Sequence, residues 1–179
     1  IGGWANSGTG ENVHIVKVNS TFDVQWDTYI GGNELYFNYD MKETSSGNIV
    51  IAGRYYDQVN SYDVFLSELN NDTGEVLWAK SYTSVNGLPC YAYGLAIESG
   101  HIGITGKIED GAIANTLIFQ TDEEGNITWA EKISSTNETN AYGYGICNDS
   151  DGGYLVCGPR EDGRNSAAQL VKVSATGEV

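Results

Sequence analysis

Two histidines, three cysteines and several acidic pairs are the groups in this chain whose types could ligate or react. His14 and His101 are far apart in sequence. A zinc site draws three or four ligands, and the spacing around neither histidine supplies the remainder. Asp149 and Asp151, beside adjacent glycines, invite calcium, but a calcium loop needs oxygens at alternating positions and a later bidentate carboxylate. Position 147 is Cys and no such carboxylate follows closely, so a plain β-turn is expected. Glu109-Asp110 and Glu123-Glu124 have the residue types of a glycosidase acid pair. They lie in stretches that read as solvated turns, with nothing to shift a carboxyl pKa. No Ser-His-Asp arrangement and no phosphate-cradling glycine loop stands out. The chain is therefore expected to carry no catalytic, cofactor-binding or metal-binding residues and to need no cofactor.

Cys147 and Cys157 flank the turn-forming run NDSDGG. With the turn centred near residue 152 they face each other on adjacent strands, and a cross-strand disulfide is geometrically available. The competing reading is two buried free thiols. Cys90 has no local partner, and an odd thiol is unusual in an exported chain; it either pairs elsewhere or is buried. Five Asn-x-Ser/Thr sequons occur, at Asn19, Asn71, Asn126, Asn137 and Asn148. The first, second and third fall on expected turns between the third and fourth strands of a unit. Asn148 falls on a first-to-second-strand turn, and Asn137 on a loop between units. Turns tolerate a bulky glycan, so all five are candidate glycosylation sites, although Asn, Ser and Thr are also ordinary turn formers.

The positioning elements come from a repeat. SGNIVIAG, SGHIGITG and GGYLVCG share a small-residue turn, a short apolar run and a closing glycine. Those glycines, Gly53, Gly106 and Gly158, stand 53 and 52 residues apart, and Trp26, Trp78 and Trp129 stand 52 and 51 apart. A fixed period of this size marks a repeat architecture. Residues 1–30 read as the later part of a unit, 31–83 and 84–135 as complete units, and 136–179 as a unit cut before its last strand is complete. In the second unit, 35–43, 48–56, 63–69 and 75–82 read as strands, joined by turn chemistry. In the first, Phe22 to Trp26 reads as a strand. The closing Thr176-Gly177-Glu178-Val179 copies Thr73-Gly74-Glu75-Val76, which runs on to Trp78. The chain is accordingly expected to be an excerpt of a longer polypeptide.

Four short strands per unit with no helical pattern predict an all-β fold of β-propeller blades, four-stranded antiparallel repeats with a period of about 52. The alternative is an open β-solenoid. Strands apolar on both sides fit blades covered on both faces. Tyr39, Tyr93 and Tyr144 recur at matching positions, which favours core packing. The formal charge of −15, from 9 basic and 24 acidic side chains, disfavours a nucleic acid or an anionic membrane surface as partner. No apolar run of about 18 residues exists to insert in a membrane.

The pattern DGGYLVCG…QLVKVSATGEV (151–179), together with VHIVKVNSTFDVQWDTYI (13–30), resembles a family of secreted or cell-surface β-propeller repeats. That resemblance covers essentially the whole chain and implies an extracellular structural or binding module. A narrower one joins NNDTGEVLW (70–78) to the tryptophan-docking repeat of quinoprotein dehydrogenases, through Thr73, Gly74 and Trp78. Here Glu68 and Asn70 replace the Ala and Asp usual in that motif, and Phe22 stands where Gly is expected before Trp26. The simpler role for Trp26, Trp78 and Trp129 is to lock blades together by burying large rings.

The expected function is a non-catalytic extracellular or cell-surface structural or binding propeller, part of a larger assembly or filament. Its expected partners are further repeats of the same chain or copies of itself, with glycans or proteins as further candidates. The alternatives are a glycan-binding module, and a quinone-dependent or carbohydrate-active enzyme whose active site lies outside these residues.

Overall fold

The computed structural model describes residues 2–6, 11–32, 34–56, 61–134, 140–161 and 165–179. All of its regular structure is strand. The first sheet holds β1 (Gly2–Asn6), β2 (Glu11–Val18) and β3 (Val24–Ile30). The second holds β4 (Leu35–Glu43), β5 (Ile49–Tyr56), β6 (Tyr62–Leu69) and β7 (Val76–Tyr82). The third holds β8 (Cys90–Glu98), β9 (His101–Asp110), β10 (Ile113–Asp122) and β11 (Ile127–Ile133). In the fourth, β12 (Asn140–Ala141) and β13 (Gly145–Asn148) pair with β14 (Tyr154–Glu161), which pairs with β15 (Ser166–Val173).

Every pairing within a unit is antiparallel, and a single parallel pair, Glu11 with Leu35, links the first sheet to the second. The second and third sheets are complete four-stranded antiparallel units as expected, and the first and fourth repeat parts of the same plan. Among the described residues they form no closed barrel. One strand differs from expectation: β3 begins at Val24 because Phe22 lies in the preceding turn. In the fourth sheet the strand that opens the unit is interrupted between β12 and β13.

No blade has a core of its own; the apolar side chains meet between blades. Val13, Ile15 and Ile30 of the first sheet pack on Ile51, Phe65 and Leu69 of the second. From the other face of the second, Val50, Ala52, Val64 and Leu66 meet Leu95, Ile104 and Phe119 of the third. Ala96 and Ile118 then meet Tyr154, Val156 and Val173 of the fourth. Alternating residues of β5 and β6 thus serve opposite seams, as side chains on a pleated strand must.

The periodic glycine has a steric cause. Pairing of β4 with β5 skips Tyr39, and pairing of β8 with β9 skips Tyr93, so each inner strand carries a bulge. In the fourth sheet the interruption between β12 and β13 falls at the same place, around Tyr144. Each bulge presses a carbonyl onto the neighbouring strand. A Cβ at Gly53 would collide with the Phe37 carbonyl, at Gly106 with that of Tyr91, and at Gly158 with that of Tyr142. Only glycine leaves room for this backbone approach.

Gly106→Ala is therefore expected to lower stability by at least about 2 kcal/mol. Gly111→Asn, at an open turn with φ +66°, should cost under about 1 kcal/mol, since Asn tolerates that conformation. Urea denaturation of the two variants checks this; equal losses would disprove the steric account.

Candidate functional site

The seams are closed at their outer edges by tryptophan. Trp26 lies over Gly74, Trp78 over Gly125 and Trp129 over Gly177, each glycine in the turn before the last strand position of the following unit. A Cβ there would come within 2.6, 3.1 and 3.0 Å of the respective indole. All three glycines have positive φ, at +73°, +74° and +89°, a conformation glycine adopts freely. Two indoles also donate across the seam, Trp26 to the Asn71 carbonyl at 2.8 Å and Trp129 to the Ala175 carbonyl at 3.0 Å. Trp78 donates instead to the buried Glu68 carboxylate of its own sheet at 2.7 Å, so the Glu at position 68 changes the hydrogen bond but not the docking. The first sheet departs further. Phe22 holds the matching turn position with φ +65°, and its ring is 81% exposed.

Nearer the inner strands the seams are filled by cations between aromatic rings. The Arg54 guanidinium lies 4.4 Å from the Phe37 ring centroid and 4.7 Å from that of Tyr62, and reaches Tyr91 of the next sheet at 5.6 Å. Lys107 lies 4.3 Å from Tyr91 and 5.8 Å from Tyr142 of the fourth sheet, and it pairs with Glu109. Sequence reasoning missed both cations. The signal was there: each directly follows a closing glycine, Gly53-Arg54 and Gly106-Lys107. Asp40 adds a bond across the same seam by accepting from the Leu95 N–H at 2.9 Å.

The bulge residues form a row. Tyr39 and Tyr93 meet edge to face at 5.3 Å, and Tyr93 meets Tyr144 at 5.0 Å. Tyr39 and Tyr144 are 44% and 52% exposed. The expectation of core packing is corrected for Tyr39 and Tyr144: the extra bulge residue is displaced from the ladder, and its ring stands at the surface of the inner strands, while Tyr93 between them is half-buried. Burial raises the phenol pKa of Tyr93 and pushes that of Tyr91 up to about 12.

Asn19, Asn71 and Asn126 lie in or beside the turns before β3, β7 and β11, and Asn148 ends β13. Asn19, Asn126 and Asn148 are exposed and Asn71 is half-buried. The Asn148 amide donates to the Ile97 carbonyl of the third sheet. Asn137 lies outside the described residues. All three cysteines are free, Cys90 buried and the other two exposed. The turn centres near residue 151, not 152, so Cys147 pairs with Leu155 and Cys157 with Gly145. The two cysteines are diagonal neighbours, which places their Cα atoms about 7–8 Å apart, beyond the usual disulfide span. Exposure likewise corrects the reading of two buried thiols.

His14 stacks on Tyr29 at 4.1 Å and meets Asp27 at 3.2 Å, while His101 sits on β9 in another sheet. Lys172 places its ammonium 2.6 Å from Asp149 and 2.8 Å from Asp151. A lysine thus sits at the carboxylates considered for calcium. Glu109 pairs with Lys107, and Asp110 with Lys132 at 3.0 Å. Adjacent on one strand, the two carboxylates project from opposite faces and do not converge. Among the described residues no group of three or more His, Cys, Asp or Glu is arranged to hold a metal ion. No protein-family model matches this chain, and no curated protein matches it.

Two measurements check the seam chemistry. Arg54→Met should lower stability by about 1–2 kcal/mol in urea, and Arg54→Lys by less, because a cation over several partly desolvated rings is worth that much; a neutral Arg54→Met would remove the cation from the account. Burial also raises the Tyr36 phenol to about 12, like that of Tyr91. The folded state binds these protons more tightly than the unfolded chain. Their stabilisation is fully present below pH ~10 and is lost as pH rises towards ~12. Ionisation of Tyr36 and Tyr91, followed residue by residue by NMR of ring-labelled tyrosine, should therefore coincide with the loss of circular dichroism above pH ~10; ionisation of these two phenols in an intact fold would contradict the burial.

Proposed function

We propose that this chain is a non-catalytic structural and binding module of the secreted or cell-surface β-propeller type, working by stacking against further blades of its own kind. The observation that carries the reading is the outward face of the fourth sheet. Leu170 stands at the position that Leu66 and Ile118 hold in the sheets before it, 52 residues apart in each step. Leu66 and Ile118 are fully buried against a following sheet, whereas Leu170 is 72% exposed. Cys157 is exposed where Ala52 and Thr105 are fully buried. Such a face favours association with another copy or another repeat. A head-to-tail contact of this kind builds rings or filaments. The acidic surface and the exposed sequons at Asn19, Asn126 and Asn148 support an extracellular setting.

Light scattering after size exclusion tests the reading. The chain should associate in a concentration-dependent way, and Leu170→Asp should leave a folded monomer. A wild-type monomer at all concentrations would refute self-stacking. A loss of mass on enzymatic removal of N-glycans from native material would support export.

A second reading, glycan binding, is favoured by the row of Tyr39, Tyr93 and Tyr144, exposed at its two ends and half-buried at Tyr93, whose uncharged rings suit the apolar faces of sugars. A glycan array with Tyr93→Ala as control tests it, and an unchanged pattern in the variant would set it aside.

A further inference from the structure

The second seam contains a recess of about 340 Å³ between the outer parts of the second and third sheets. Its inner wall is apolar: Val64 from β6, Cys90 from β8, Ile108 from β9, and Leu117 and Phe119 from β10. The connection from β7 to β8 forms its rim through Ser84, Val85, Asn86 and Leu88.

That connection is held in place. The Ser84 hydroxyl accepts from the Leu88 N–H at 2.6 Å, and the Gly87 N–H donates to the Ser84 carbonyl at 2.9 Å. Thr83 donates to Asp63 at 2.9 Å, and the Glu109 N–H to the Pro89 carbonyl at 2.9 Å. Tyr82, on the opposite side, is fixed by its bond to the Gly125 carbonyl at 2.7 Å and by the Phe119 ring at 5.4 Å. The recess is thus built into the seam before anything enters it. Its volume lies in the size range of small-molecule pockets.

We propose that this recess binds a small apolar molecule bearing a neutral or cationic polar end. The apolar wall selects the body of the ligand, and the charges at the lining select its end. Asp110 and Lys132 neutralise each other at 3.0 Å. Glu131, also in the lining, has no ion-pair partner among the described residues. The surplus at the recess is therefore negative, in a chain of net charge −15, and an anionic end is disfavoured. The buried Cys90 thiol reports on occupancy. Its pKa is raised to about 11 by burial, so it alkylates slowly, and a ligand against it slows it further.

The probe is neutral N-phenyl-1-naphthylamine, with anionic 1-anilinonaphthalene-8-sulfonate as its charged counterpart. The neutral dye should bind saturably and at least about tenfold more tightly than the anionic one. Ala130→Phe, at an exposed position of β11 that lines the recess, should weaken the neutral dye by about tenfold without changing the melting temperature. In a Cys147→Ser, Cys157→Ser background the dye should slow N-ethylmaleimide modification of Cys90. Absence of saturable binding overturns the proposal. So does binding that Leu170→Asp abolishes while Ala130→Phe and Cys90 are unaffected, since the dye would then sit on the outward face of the fourth sheet. Equal affinity for the two dyes overturns the charge preference.

Discussion

A backbone carbonyl pressed against a glycine is the constraint on which the architecture rests. Each inner strand bulges at one tyrosine, and the bulge drives the carbonyl of Phe37, Tyr91 or Tyr142 into the space where the next strand would otherwise carry a Cβ. The bulge bends and twists the strand, and it places the ring of the displaced tyrosine beside those of its counterparts. The same glycine sets the position of the cation that follows it, so Arg54 and Lys107 enter successive seams between aromatic rings. One steric requirement, repeated at a period near 52, thereby fixes the tyrosine row and the cationic filling together.

Stability in such a molecule belongs to the seams. Val50 and Ile51 are neighbours in sequence, yet one packs against the third sheet and the other against the first. A single blade would leave both faces in water. The tryptophan docks close the outer edge of each seam, and in the second and third seams cation–aromatic contacts fill it towards the inner strands, so those blades are coupled at both ends. Repeat proteins of this kind draw their cohesion from nearest-neighbour contacts.

What was legible in the sequence follows from what repeats. Closing glycines, tryptophans and apolar runs gave the period, the strand count and the two-sided burial. The tyrosines were visible at matching positions, but their exposure was not. Sequence alternation alone does not reveal a bulge, because the skipped residue looks like any other strand residue. The Cys147–Cys157 register failed for a related reason: shifting a hairpin turn by one residue moves cross-strand partners by two. The recess escaped sequence reading because its lining comes from β6 through β11, and no local pattern announces a gap between sheets.

Phe22 has a consequence for the symmetry of the series. At Gly74, Gly125 and Gly177 bare backbone accepts a flat indole from the preceding sheet, while at the matching turn of the first sheet a benzyl group stands in that space. The translation that relates one blade to the next is broken there. The repeat therefore carries a phase mark: one turn among four matching positions has exchanged an open glycine for a side chain.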